Sequence, residues 1–187
     1  MYHVPEWAFE PGASSLPYLP LETLPAKGNW RCVITSERLY RPNTHWIAHR
    51  TLPCLGDSCG ACAALKPKKR EAFAGVMRSN YGKHFILRLT ENVARLLLRD
   101  LEPGASLRGT CFSIRRKGED KHGYVEATLE DAISSPGRLP AAPDLPLQLS
   151  RIWRIDGWEP AVGLEQYAEQ MIRLCQDGSA PPSSEVA

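Results

Sequence analysis

Residues 84–101, HFILRLTENVARLLLRDL, change hydrophobic period halfway along. From His84 to Thr90 the residues alternate, with Phe85, Leu87 and Leu89 on one face and His84, Ile86 and Arg88 on the other, which predicts a half-buried strand. Beyond Thr90 the period lengthens. Val93, Leu96, Leu97 and Leu101 fall on one stripe of a helix that Thr90 can cap and Glu102-Pro103-Gly104 ends. A strand that runs straight into an amphipathic helix needs a sheet for that helix to cover. The other strands lie on either side. Upstream, Glu71–Ser79 (EAFAGVMRS) reads as a strand joined to His84–Thr90 by the turn Asn80-Tyr81-Gly82. Downstream, Leu107–Arg116 and Tyr124–Leu129 read as a hairpin around the 117–123 loop, and Trp30–Tyr40 supplies one more strand ahead of a long loop. Phe73, Phe85 and Phe112 are expected in the core.

The order strand, long loop, strand, strand, helix, strand, strand is that of the OB-fold, a five-stranded Greek-key barrel. The expected class is therefore mainly β: an OB-fold-like barrel with one helix and with residues of about 41–70 inserted between its first two strands. Proline marks the borders of this core. Of 16 prolines, five fall in residues 1–27 and seven in 134–187, leaving four in the 106 residues between. Residues 1–28 thus read as an extended arm, 29–133 as the core and 134–160 as a Pro-rich extension with a short strand at Ile152, Trp153 and Ile155. A helix over 161–176 and a disordered tail over 177–187 complete the chain.

Within the inserted loop, Pro53-Cys-Leu-Gly-Asp-Ser-Cys-Gly-Ala-Cys places Cys54, Cys59 and Cys62 in nine residues. Two thiolates spaced Cys-x-x-Cys reach one tetrahedral zinc, and Gly56 and Gly60 allow the chain to turn tightly around it. Cys54 supplies a third ligand. The fourth is expected from His45 or His49, with His45 preferred because it leaves eight residues to loop back. Three other readings are weaker. Free buried thiols suit a core strand better than this Gly/Asp/Ser loop, a disulfide leaves an odd cysteine, and a thioredoxin-like redox pair lacks a βαβ setting. The deaminase pattern also fails, because neither histidine stands in His-x-Glu. No Walker A loop, His-Glu-x-x-His helix or Gly-x-Ser-x-Gly elbow occurs, and the chain is read as a non-enzyme.

The formal charge of +2 hides a partition: residues 31–88 carry 11 Lys+Arg against three acids, while both ends are acidic. Lys66, Lys68, Lys69 and Arg70 follow the cysteines, Arg78, Lys83 and Arg88 lie on the second and third strands, and Arg115, Arg116, Lys117 and Lys121 surround the last hairpin. Trp46, Tyr81 and Tyr124 are the aromatics best placed to stack on bases beside these cations. Singly each cation suits a solvated surface; their joint placement predicts a groove for a polyanion. No apolar run approaches the roughly 18 residues of a membrane span. Residues 1–10 also lack a signal-peptide pattern, so a cytoplasmic (intracellular) location is expected.

One histidine followed by three cysteines, the last two as Cys-x-x-Cys, inside an OB-like core of residues of about 30–133 resembles the T-even phage family of single-stranded DNA-binding proteins. The intervals between the ligands are shorter here. The resemblance implies a structural zinc and a non-enzymatic protein that binds single-stranded DNA, or RNA, in replication, recombination or mobile-element processes. It also implies ligand contacts on the second and third strands and the adjoining loops. Residues 177–187 hold only Asp177 and Glu185, so they depart from that family's acidic, partner-recruiting tail. The competing expectation is a zinc-stabilised protein interaction module whose terminal extensions dock a protein partner.

Overall fold

The computed structural model describes residues 18–47, 50–54, 56, 59–64, 66–78, 82–99, 101–117, 123–130, 139–153 and 173. In chain order the elements are β1 (Leu21–Glu22), β2 (Asn29–Ile34), β3 (Asn43–Ile47), β4 (Arg50–Pro53), α1 (Gly60–Ala63), β5 (Lys69–Arg70), β6 (Ala72–Arg78), β7 (His84–Leu89), α2 (Glu91–Arg99), β8 (Cys111–Arg116), β9 (Val125–Glu130) and α3 (Leu145–Ile152). The chain is mainly β. It divides into two compact units, one of residues 1–15, 42–70 and 149–187, the other of residues 16–41 and 71–148. Among the described residues no helix is long and apolar enough to cross a membrane. The arm of residues 1–17, the tail of 177–187 and, except for Arg173, the expected helix over 161–176 lie outside the described residues.

The second unit, hereafter the sheet unit, is built on one six-stranded sheet in the order β1-β7-β6-β2-β8-β9. Its middle four strands are ordered as in a Greek key, with β8 returning to lie beside β2. All five expected strands are present within a few residues, apart from two trimmed ends: the first stops at Ile34 and the fourth starts at Cys111. The expected barrel, however, is open. Among the described residues β7 does not pair with β9, because the outer edge of β7 is taken by β1, which runs parallel to it through Leu21↔Ile86 and Glu22↔Leu87. The Ile86 amide also donates to the Pro20 carbonyl at 2.9 Å. Residues 18–28, the described end of the expected extended arm, therefore belong to the sheet unit.

One sheet face carries the core. Trp30, Cys32 and Ile34 of β2, Ala72, Ala74 and Val76 of β6, Phe85, Leu87 and Leu89 of β7, and Phe112 and Ile114 of β8 pack with Val93, Ala94 and Leu97 of α2. Period-2 alternation on the strands meets a 3.6-period stripe on the helix, so both patterns bury the same interface. Arg41 fixes the start of α2 by donating from Nη2 to both Glu91 carboxylate oxygens at 2.8 Å. The opposite face is covered as well. Ile86 is fully buried, so β7 is not the half-buried strand that alternation predicts. Arg108 pins a segment over that face by donating to the carbonyls of Thr35 (2.6 Å), Pro140 (2.7 Å) and Leu139 (3.1 Å). Gly75 is required beneath it, since a Cβ there would stand 2.4 Å from Pro143 Cγ.

The Pro-rich extension holds a helix, α3, which ends at Ile152, where a strand over Ile152, Trp153 and Ile155 was expected; Ile155 lies outside the described residues. Asp144 explains the difference: its side chain accepts the Leu147 amide at 3.0 Å, and its carbonyl accepts the Gln148 amide at 2.9 Å. Pro146 lies in the first turn, where no amide is needed, and Leu145, Leu149 and Trp153 recur at helical spacing and are buried. Asp144→Ala is expected to cost about 1 kcal/mol of stability, readable as a lower midpoint in urea.

Candidate metal centre

Residues 42–70, expected to be a loop, contain a three-stranded sheet in the order β4-β3-β5. β3 and β4 form a hairpin with His45 opposite Leu52 and Trp46 opposite Thr51, while β5 pairs through Asn43↔Arg70 and Thr44↔Lys69. On β3 His45 and Ile47 are buried on one face, and on the other Trp46 is 64% exposed while Thr44 is buried. After β4, the Cys54 amide donates to Asn43 O at 2.8 Å. Gly56 then takes a φ of +70°, which only glycine adopts without strain, and its carbonyl accepts the Cys59 amide at 3.2 Å. Cys59 precedes the short α1, which carries Cys62.

These elements bring His45, Cys54, Cys59 and Cys62 together, their four ligand atoms lying within 4.8 Å of one another, a spread compatible with one metal ion. His45 Nε2 stands 3.5 Å from Cys59 Sγ and 3.4 Å from Cys62 Sγ, and Cys54 Sγ stands 3.6 Å from Cys62 Sγ. The other ring nitrogen, Nδ1, donates to the Pro67 carbonyl at 3.1 Å, which fixes the tautomer and leaves the Nε2 lone pair facing the thiols. Burial lowers the His45 pKa, so the ring is neutral and able to ligate near pH 7. Burial pushes the Cys54 thiol up to about 12, and metal uptake must displace its proton. The pKa of exposed Lys68 is raised, first by its hydrogen bond to Cys62 and then by the nearness of Cys54 and Cys62. Pro67 has no signature in the sequence, because any residue's carbonyl can accept that bond. His49 lies outside the described residues.

The residues expected to contact nucleic acid divide between the two units. Trp46, Lys66, Lys68, Lys69 and Arg70 share the metal-carrying unit, and Lys68, Lys69 and Arg70 are exposed. In the sheet unit most of the cations are already engaged. Arg88 donates from Nε and Nη2 to both oxygens of buried Glu71, at 2.7 and 2.6 Å. Arg115 and Lys117 share Glu126, whose pKa they lower, and Lys83 pairs with Glu22. Arg116 donates to the carbonyls of Gly123 and Leu24 at 2.8 and 2.9 Å. Arg78 lies over the Trp30 ring, 4.3 Å from its centroid. Tyr124 is 58% exposed, whereas Tyr81 and Lys121 lie outside the described residues. The chain matches no protein-family model, no curated protein and no solved structure.

Proposed function

We propose that this chain is a non-enzymatic, zinc-stabilised protein that binds single-stranded nucleic acid, DNA being the strand to test first, through an OB-like Greek-key core and its metal-carrying insertion. Replication, recombination or mobile-element activity is the setting this reading suits. Zinc accords with the donor set. Tetrahedral zinc with Zn–S of about 2.3 Å and Zn–N of about 2.0 Å requires S–S and S–N separations of about 3.8 and 3.5 Å, close to the distances between the thiols and His45. Three thiolates and Zn²⁺ sum to −1, and the Lys68 ammonium offsets that charge. With all four positions filled by protein, the metal would be structural.

The observation that carries the reading is Trp46. A tryptophan 64% exposed beside a buried ligand has no role in the core, and the same unit holds Lys66, Lys68, Lys69 and Arg70. Aromatic faces amid cations accept unpaired bases of any sequence. Binding to an unstructured oligonucleotide should weaken with salt by roughly 0.7 log unit per phosphate contact for each log unit of salt. Gel shifts over a salt series test this. Salt-insensitive or absent binding would favour a zinc-stabilised module docking a protein, a reading that draws on the neutralised cations of the sheet unit.

A further inference from the structure

Resting on that reading, we infer that the strand-binding surface is one face of the three-stranded sheet, where Trp46, Thr51 and Lys69 form a subsite for a single unpaired nucleotide. The register sets the geometry. Thr51 stands directly opposite Trp46 on β4, and Lys69 stands opposite Thr44 on β5. Thr44 and Trp46 are two residues apart, so all four side chains leave the same face. Lys69 and Trp46 are then diagonal neighbours, about 7–8 Å apart, within reach of one long side chain. His45 projects to the other face, where the metal ligands gather. The metal thus buttresses the back of a platform whose front carries the indole. A base stacked on Trp46 would place its phosphate toward the Lys69 ammonium and its sugar toward the Thr51 hydroxyl.

Charge selects the occupant. Residues 42–70 carry Arg50, Lys66, Lys68, Lys69 and Arg70 against Asp57 alone, a formal +4. In the sheet unit, Glu22, Glu71 and Glu126 oppose the cations first expected to line the groove. An indole with a cation beside it suits a polyanion that offers flat faces, and because every base has a face to stack, the subsite is tolerant of sequence.

The test uses the full zinc-loaded chain and a fluorescein-labelled oligodeoxythymidine, read by anisotropy. Trp46→Ala, with its zinc content retained, should lose roughly five- to 150-fold in affinity, and Trp46→Phe should recover most of that loss. Lys69→Gln should weaken binding and reduce the salt slope by about 0.7. If folded, zinc-loaded Trp46→Ala and Lys69→Gln bind like wild type while Tyr124→Ala weakens binding, the surface lies on the sheet unit and the inference is overturned, with the proposed function intact. If the wild type binds no single strand, or binds duplex equally well, the proposed function itself fails.

Discussion

Cys59→Ser protein purified from cells is expected to contain far less zinc than the wild type, for which one zinc per chain is expected, and to lose the fold of residues 42–70. Cys59 is buried, its Sγ faces His45 Nε2, and it precedes α1, so one substitution removes a ligand and the anchor of the turn. Apparent zinc-binding free energies of about 10–16 kcal/mol in small zinc domains are also folding free energies. Among the described residues of this unit, the sheet has strands of only five, four and two residues, so the metal ligands would carry much of its order. Metal analysis together with limited proteolysis checks both halves of the expectation. His45→Ala should behave alike and His49→Ala should keep its metal. Because thiols must lose protons to ligate, zinc uptake should release protons and acidification should release zinc. A Cys59→Ser protein with stoichiometric zinc would remove the site.

Arg88→Ala is expected to lower stability by about 3 kcal/mol, near the lower end for removing one partner of a buried pair, because Arg88 is itself partly exposed. Glu71 is 4% exposed, and Arg88 supplies hydrogen bonds to both its oxygens. Without Arg88 the buried carboxylate loses both of these charge-assisted hydrogen bonds. Urea titration of the single variant and of Glu71→Leu/Arg88→Ala provides the check, since removing both partners should recover much of the loss. A stable Arg88→Ala that binds oligonucleotide poorly would return Arg88 to the strand-binding set.

Hydrophobic period was enough to find the long strands and α2, where burial and alternation agree over six or more residues. It failed where other forces decide. β1 has only two residues, and α3 depends on an Asp144 cap within a run of prolines. Ile86 shows that a polar neighbour on each side does not keep a strand residue in solvent when another segment covers the face. The four metal-ligand candidates were legible because tetrahedral coordination restricts spacing along the chain. Which cations are already paired was not, since the acids that bind Lys83, Arg88 and Arg115 lie 61, 17 and 11 residues away. A local charge count cannot see such partners.

The insertion also bears on the order in which the chain folds. β2 and β6 join through Ile34↔Val76, and the Tyr40 and Phe73 backbones exchange two hydrogen bonds at 3.0 and 2.9 Å, so that pairing must close a loop of about 30 residues. Asn43↔Arg70 draws the ends of the insertion together on its own account. Once that pairing exists, the span left to close falls to about six residues. Each doubling of loop length costs about 0.6 kcal/mol, so the saving is about 1.4 kcal/mol of closure entropy. Closed first, the pairing of β3 with β5 would thus act as a kinetic nucleus, shortening the search by which the two central strands find each other.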